Sequence, residues 1–269
     1  MEGSVTDFKL VEKLVLENDY IIHLAAIVGV RLAMENGIEG LKVSCMGTEN
    51  VLNCVAKYNK KLLAASSSAI YGKISKTPVS EDTDSIVGCS AKSSWLYSIA
   101  KLAEEHFCLA YHRELGCDVK VCRFFNAVGP NQSKSYGMVM PNFISNALSH
   151  RTLQIYGDGN QSRTFVYIED LLDGIELVIE KGTTGEVYNI GGTEEIKIAD
   201  LARKIIDITE SGSDIEFIPF EKVFGPDYEE TMQRMPDITK LKALGYNPQY
   251  TLEKSISSLI KHLKLRKDI

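Results

Sequence analysis

Tyr97 and Lys101 stand four residues apart in the stretch SSWLYSIAK (93–101), with Ser98 beside the tyrosine. On a helix that spacing stacks the phenol and the ammonium on one face, one turn apart. A phenol is a poor base at neutral pH, and a neighbouring ammonium favours phenolate, so such a pair could take a proton from a hydroxyl. Ser66, Ser67 and Ser68 end the apolar run in KLLAASSSAIYG (61–72). A serine hydroxyl there could hydrogen-bond the reacting oxygen and orient it. Spacing alone proves little, because Tyr250 and Lys254 repeat it. In a chain with 12 Tyr, about one such match is expected by chance.

The elements around each copy separate them. DYIIHLAA (19–26) reads as a buried strand, GTENVLNCVAKYN (47–59) as a helix, and 61–72 as a strand with a hydroxyl-rich end. Residues 93–115 read as a long helix with Leu96, Ala100, Ala103, Phe107 and Ala110 on one stripe, stopped by Gly116. DVKVCRFFNAVGP (118–130) reads as the next strand, and 8–18 as an amphipathic helix. Strand and helix alternate with short links, which is the pattern of a parallel sheet covered on both faces. Ligands in such sheets bind beyond the carboxyl ends of the strands. HLAA, SSSAIYG and NAVGP lie there, and Tyr97 with Lys101 follows on the next helix. Tyr250 follows no such strand; it reads as a helix start with Thr251 as cap.

The later half is more mixed. Helices are expected over 138–150, 168–181, 198–210 and 251–267, and strands over 153–157, 185–192 and 214–220. No repeat, low-complexity tract or linker divides the chain. The formal net charge is −6, which argues against a general nucleic-acid or anionic-membrane binder. No apolar run approaches a membrane span, and the first residues lack the pattern of a signal peptide. The six cysteines form no CxxC and no metal-finger spacing with the five histidines. Cys54 and Cys108 fall in apolar-periodic helices and read as buried free thiols, in keeping with a reducing cytoplasm. No metal site is expected.

Eight blocks then occur in order: HLAA (23–26), GTENVL (47–52), SSSAIYG (66–72), YSIAK (97–101), RFFNAVGP (123–130), YGDGNQSRTFVYIED (156–170), YNIGG (188–192) and RMPDITK (234–240). Together they resemble the extended short-chain dehydrogenase/reductase family, specifically its nucleotide-sugar epimerases, dehydratases and decarboxylases. The resemblance implies a Rossmann-like, doubly wound α/β fold with a smaller mixed α/β substrate-binding part. Residues 1–130 would form the NAD-binding domain, with 185–192 returning to it, and 131–269 would mainly bind the nucleotide sugar. It implies NAD as cofactor, held near Ala25, Ala26, Tyr97 and Lys101. It makes Ser67, Tyr97 and Lys101 catalytic, because the family's serine stands four before the tyrosine of the YG pair, here Tyr71. Tyr97 would take the proton of a sugar hydroxyl while hydride passes to the nicotinamide, leaving a 4-keto sugar.

The resemblance also assigns substrate contacts. Arg163 and Arg234 match positions that hold a nucleotide diphosphate, Asn126 matches a donor to the same group, and Asp237 matches a ribose contact. Arg31 lies in a loop near the sugar and could meet a sugar carboxylate. Family 4,6-dehydratases carry an Asp-Glu pair after the catalytic residue, and decarboxylases a Glu two before the YG tyrosine. Here those positions are Ser68 and Ala69. The expected reaction is therefore epimerisation. Decarboxylation or dehydration is the alternative, the former supported by the Trp in SSWLYSIAK, and a non-catalytic sugar-nucleotide binder is a third reading. A homodimer through the helices at 47–59 and 93–115 is implied by resemblance.

One family feature is missing. None of the 20 glycines gives the Gly-rich pyrophosphate turn of a first βα unit. EGSVTD (2–7) resembles the family's third-strand segment, with Ser4 where an acidic residue often stands. The expectation is a chain that starts after two βα units, about 50 to 60 residues at about 30 per unit. Met1 would then be an internal methionine or the start of a gene fragment; the epimerase activity would belong to the full-length form, and this chain would bind NAD poorly or not at all.

Overall fold

The computed structural model describes residues 2–132 and 138–266. Met1 and Lys267, the last residue of the helix expected over 251–267, lie outside them. The chain opens with α1 (Phe8–Leu16). The Asp7 carboxylate accepts the Lys9 and Leu10 N–H groups at 3.1 and 3.2 Å and caps it. Then come β1 (Tyr20–His23), α2 (Val30–Glu35), α3 (Gly37–Leu41), a five-residue π-helical turn over Lys42–Met46, α4 (Gly47–Tyr58), β2 (Lys61–Ser67), α5 (Leu96–Leu115) and β3 (Asp118–Phe124). Helix α5 ends as expected, with Gly116 in the left-handed region at φ 69°.

The central sheet runs β1-β2-β3 and then β8 (Val187–Ile190), all parallel. Alternation along the strands splits its two faces. Leu62, Ala64, Val119 and Val121 pack with Val11, Val15, Val51, Leu52 and Cys108 from α1, α4 and α5. Leu63, Cys122 and Ile190 face the other way, onto Leu171 and Val178 of α7 (Ile168–Lys181) and Leu241 of α10 (Thr239–Ala243). Burial on both faces explains why these strands read as continuous apolar runs.

The remaining elements build the second part: β4 (Ala127–Val128), α6 (Val139–Leu148), β5 (Leu153–Tyr156), β6 (Ser162–Thr164), β7 (Val166–Tyr167), β9 (Glu195–Lys197), α8 (Ile198–Thr209), β10 (Ile215–Ile218), α9 (Phe220–Phe224) and α11 (Leu252–Arg266). Its core joins Met140, Phe143 and Ile144 of α6, Leu153 and Ile155 of β5, Leu201 and Ile205 of α8, and Ile256 and Leu259 of α11. Pairing here is local: β5 with β10 and β4 with β7 are parallel, and β6 with β9 is antiparallel.

Several expected elements are shorter than the sequence suggests. The strands expected over 61–72 and 118–130 stop at Ser67 and Phe124. Ser67 caps a 3-10 turn over Ser68–Tyr71 by accepting the Ala69 N–H at 3.2 Å. The long helix starts at Leu96, after a 3-10 turn over Ser93–Trp95. Its buried face is also not the expected stripe. Ser98, Ala100, Lys101, Glu104, Glu105 and Cys108 are buried, while Leu96, Ala103, Phe107 and Ala110 are half-buried.

Candidate active site

The site lies where β2 ends beside the start of α5. Lys101 is 3% exposed, and its Nζ donates to the Ala65 carbonyl and to Glu104 Oε2, each at 2.8 Å. Ala65 lies two residues before Ser67 on β2, so this bond ties α5 to the strand that ends at the serines. An ammonium has three protons, and the third remains for a ligand. Ser67 is half-buried; its oxygen receives Ala69 N–H, which leaves its own proton for a ligand. Ser66 Oγ, one residue earlier, is buried without a partner. Tyr97 is half-buried and lines a small cavity with Ile27, Ala33, Leu41, Ser44 and Ala100.

Two buried ion pairs sit on consecutive residues of α5. Glu104 faces Lys101; burial, its largest influence, pushes the carboxyl up, while Lys101 and Ser44 pull it back. Glu105 faces Arg123 of β3. Arg123 also donates from Nη1 to Tyr71 Oη and to the Glu81 carbonyl, both at 2.8 Å. Tyr71 Oη in turn donates to Asn189 Oδ1 at 2.7 Å. The YG tyrosine is thus a strut between strand ends. His23 at the end of β1 is buried, 3.0 Å from Thr48 Oγ1 through Nε2. Burial first, and then the Lys101 charge, pushes its imidazole down to about 4.

A second cluster forms from the later half. Arg163 on β6 donates to Glu230 Oε1 at 2.6 Å and to the Ser162 carbonyl at 2.7 Å. Tyr228 Oη donates to Glu230 Oε2 at 2.7 Å, and burial with Glu230 drives that phenol upward. Arg234 is half-buried as a residue, yet its Nε is sealed from solvent and has no hydrogen-bond partner. Burial, then repulsion from Arg163, push its guanidinium down to about 10; Glu230, Tyr228 and Tyr97 act in the opposite sense. The two arginines, Glu230 and Tyr97 therefore share one neighbourhood. Two guanidinium charges against one carboxylate leave it one positive charge in excess, with an orphaned buried donor. Chemically, that arrangement can hold an anion.

Other expected site residues have different surroundings. Asn126 Nδ2 donates to the Thr164 carbonyl at 2.8 Å, one residue from Arg163, and leaves its carboxamide oxygen free. The Asp237 carboxylate accepts the Thr239 N–H at 2.8 Å at the start of α10, and its backbone carbonyl accepts Asn189 Nδ2 at 3.2 Å. The Asp237 carboxylate is thus engaged by the backbone two residues on, just before α10. Ala25 and Ala26 form half-buried coil just beyond β1. Arg31 is 64% exposed and pairs with Glu35 at 2.9 Å. The duplicate pair serves packing: Tyr250 stacks on Tyr167 with centroids 4.1 Å apart, its hydroxyl bonds Glu169, and Lys254 Nζ lies 3.9 Å over its ring. Sequence reasoning missed Glu104, Glu229 and Glu230. The last two are adjacent acids four residues upstream of the RMPD block, and that adjacency was the only available signal.

The match to a family model covers residues 1–191 and describes an NAD dependent epimerase/dehydratase family. The chain belongs to that family. A UDP-N-acetyl-alpha-D-glucosaminuronate decarboxylase of Bacillus cytotoxicus is 38% identical over 259 residues, 96% of this chain and 80% of the relative. UDP-glucuronic acid decarboxylase 1 of Xenopus tropicalis is 33% identical over 256 residues, 95% of this chain and 59% of the relative. Among solved structures, a UDP-glucuronic acid 4-epimerase from Bacillus cereus, in complex with UDP-glucuronic acid and NAD, matches with TM-score 0.86 and 30% identity. That match covers 98% of this chain and 81% of the other. The fold is the expected Rossmann-like one, and the family is one of NAD-dependent enzymes. The named relatives favour the decarboxylase alternative over the epimerase reading.

The residues present fit the reactive half of NAD. Lys101 keeps a free donor, small Ala25 and Ala26 line the end of β1, and the orphaned Ser66 hydroxyl lies at the end of β2. No strand-to-helix turn among the described residues carries glycines at pyrophosphate-binding spacing.

Proposed function

We propose that this protein decarboxylates a UDP-hexuronate by an oxidation–elimination–reduction sequence at C4. Ser67 donates a hydrogen bond to the C4 oxygen, and Tyr97 removes its proton. Lys101, fixed by Ala65 and Glu104, holds the cofactor's ribose end and the local positive charge. NAD, when bound, supplies the hydride acceptor and later returns the hydride. The sugar is then a 4-ketone whose C6 carboxylate is β to the carbonyl. The C5–C6 bond breaks, CO2 leaves, and its electron pair enters the C4–C5 enolate, which Ser67 and protonated Tyr97 stabilise by hydrogen bonding. Protonation at C5 and reduction at C4 complete a UDP-pentose or its acetamido counterpart.

The observation that carries this reading is the seat of Arg163 and the orphaned Arg234 in the same neighbourhood as Tyr97. It supports a diphosphate anchored within reach of the proton-transfer pair. Identity of 38% to a UDP-uronate decarboxylase supports the reaction. Asn126, adjoining Arg163 through Thr164, extends the donor set. Residues 1–130 with 185–192 serve the cofactor, and 131–269 mainly serve the nucleotide. The half-buried stripe of Leu96, Ala103, Phe107 and Ala110 supports a homodimer through α4 and α5. A 4-epimerase is the second reading, favoured by the solved UDP-glucuronic acid 4-epimerase and by the lack of a carboxylate at 68 and 69.

Mass spectrometry after incubation with NAD and UDP-glucuronate, or its 2-acetamido analogue, separates these readings. Loss of CO2 supports decarboxylation. An isomer of unchanged mass, resolved by chromatography, indicates epimerisation. Binding without turnover would make the chain a sugar-nucleotide binder. Tyr97→Phe is expected to reduce turnover at least about 100-fold; wild-type turnover by that variant would exclude the assigned base.

A further inference from the structure

A short strap, residues 226–231, joins the two clusters of the site. Its near side is tied to the segment that leads into α5. Lys92 Nζ donates to the Pro226 carbonyl at 3.0 Å, and Glu229 N–H donates to Ser94 Oγ at 3.2 Å. Thr231 Oγ1 donates to the Gly72 carbonyl at 3.2 Å. The centre of this side is Trp95, 3% exposed, whose Nε1 donates to Glu229 Oε2 at 2.8 Å. Lys73 Nζ meets the same oxygen at 2.7 Å and lies 5.5 Å from the centre of the Trp95 ring. Gly88 covers the indole so closely that a Cβ there would stand 2.1 Å from Nε1. The far side of the strap carries Glu230, bonded to Arg163. Two adjacent carboxylates are thus divided. Glu229 holds the residue two before Tyr97, and Glu230 holds the anion seat.

We propose that Glu229 is a positioning residue, which sets the first turn of the catalytic helix, and with it Tyr97, against the Arg163–Arg234 seat. The inference rests on the nucleotide-diphosphate reading of that seat. Trp95 begins the turn that carries Tyr97, and its buried N–H finds its acceptor on the strap. An arginine-bound diphosphate draws on Glu230, and the backbone shared with Glu229 passes the adjustment to Trp95. Remote anchoring of this kind matters because a displacement of about 1 Å at a proton-transfer group costs on the order of 100-fold in rate.

Trp95 is the only tryptophan in the chain, so its emission reports on this contact directly. The probe is UDP, titrated into the parent protein, Glu229→Ala and Glu229→Gln, with binding followed by calorimetry and by Trp95 fluorescence. UDP is expected to change the emission of the parent. In Glu229→Ala, UDP should bind within about threefold of the parent while the emission response disappears, and kcat should fall about 10- to 100-fold with little change in KM. Glu229→Gln keeps an acceptor for the indole and should restore most of both. A Glu229→Ala protein with the parent's emission response, or with kcat within twofold of the parent, overturns the inference and leaves the seat intact. Absence of UDP binding to the folded parent overturns the reading of the seat itself, and the inference with it.

Discussion

Arg163→Ala tests the anion seat most directly, and its effect can be worked from the contacts. In the parent, Arg163 and Arg234 oppose one carboxylate, Glu230, which leaves one positive charge in excess. The Arg163 side chain is 12% exposed, so solvent screens it weakly. A hydrogen bond to a charged group contributes about 1.5–3 kcal/mol, which corresponds to about 10- to 100-fold in affinity. Removal of Arg163 also frees Glu230 to oppose Arg234, and the seat becomes neutral. UDP should therefore bind at least about 10-fold more weakly, measured by calorimetry at fixed salt. Adding Glu230→Gln to Arg163→Ala removes the competing carboxylate and should recover several-fold of the loss, because Arg234 again has no internal partner. The reasoning fails if Arg163→Ala binds UDP within twofold of the parent. It also fails if the second substitution weakens binding further, since Glu230 would then be a scaffold for the ligand rather than a competitor.

Two other outcomes follow from the electrostatics. Burial and Arg163 push Arg234 down to about 10, which still leaves it charged near neutrality. A lysine starts about 2 units lower than an arginine, so in Arg234→Lys the same surroundings place the ammonium near pH 8. UDP affinity of that variant should fall between pH 7 and 9, where the parent stays flat; parallel calorimetric pH profiles would refute this. His23 is native as the neutral imidazole, at about 4 against 6.5 in the unfolded chain. The unfolded chain takes up the proton first, so stability should be constant above about pH 6.5 and fall as pH drops toward 4. The full effect is about 3 kcal/mol. His23→Gln can keep a bond to Thr48 and should flatten that slope in urea denaturation at pH 7, 6, 5 and 4; an unchanged slope would place the acid sensitivity elsewhere.

The legible parts of the site were those encoded locally. Tyr97 and Lys101 stand at a helix repeat and Ser66, Ser67 and Ser68 at a strand end, both short-range patterns, while Ser67 was singled out only by the family resemblance. Arg163 and Arg234 were legible only through family blocks, because nothing local shows that β6 and the segment before α10 converge. The face of α5 was misjudged for a physical reason. Glu104 and Glu105 look like a solvated charge run, yet each meets its own buried cation, Lys101 and Arg123. Pairing inverts the usual rule that charge marks the outside, and the apolar stripe is left half-exposed. Over residues 30–46 two short helices and a π-helical turn break the 3.6-residue repeat.

The choice between epimerisation and decarboxylation shows where a motif argument goes astray. Ser68 and Ala69 offer neither acid nor base, and from this the sequence reading favoured an epimerase. That argument bears on dehydration, which must move a proton from C5 and protonate a leaving hydroxyl at C6. Decarboxylation needs no base at C5, although an acid must still protonate C5 before reduction at C4. Once C4 is a ketone, the C5–C6 electron pair flows into it, and the breaking bond requires only a stabilised enolate oxygen. In the proposed reaction Ser67 and Tyr97 serve that oxygen. The missing glutamate therefore favours an epimerase over a decarboxylase, while the named relatives favour the decarboxylase. What divides them is whether the 4-keto sugar turns over in the site before its carboxylate is lost.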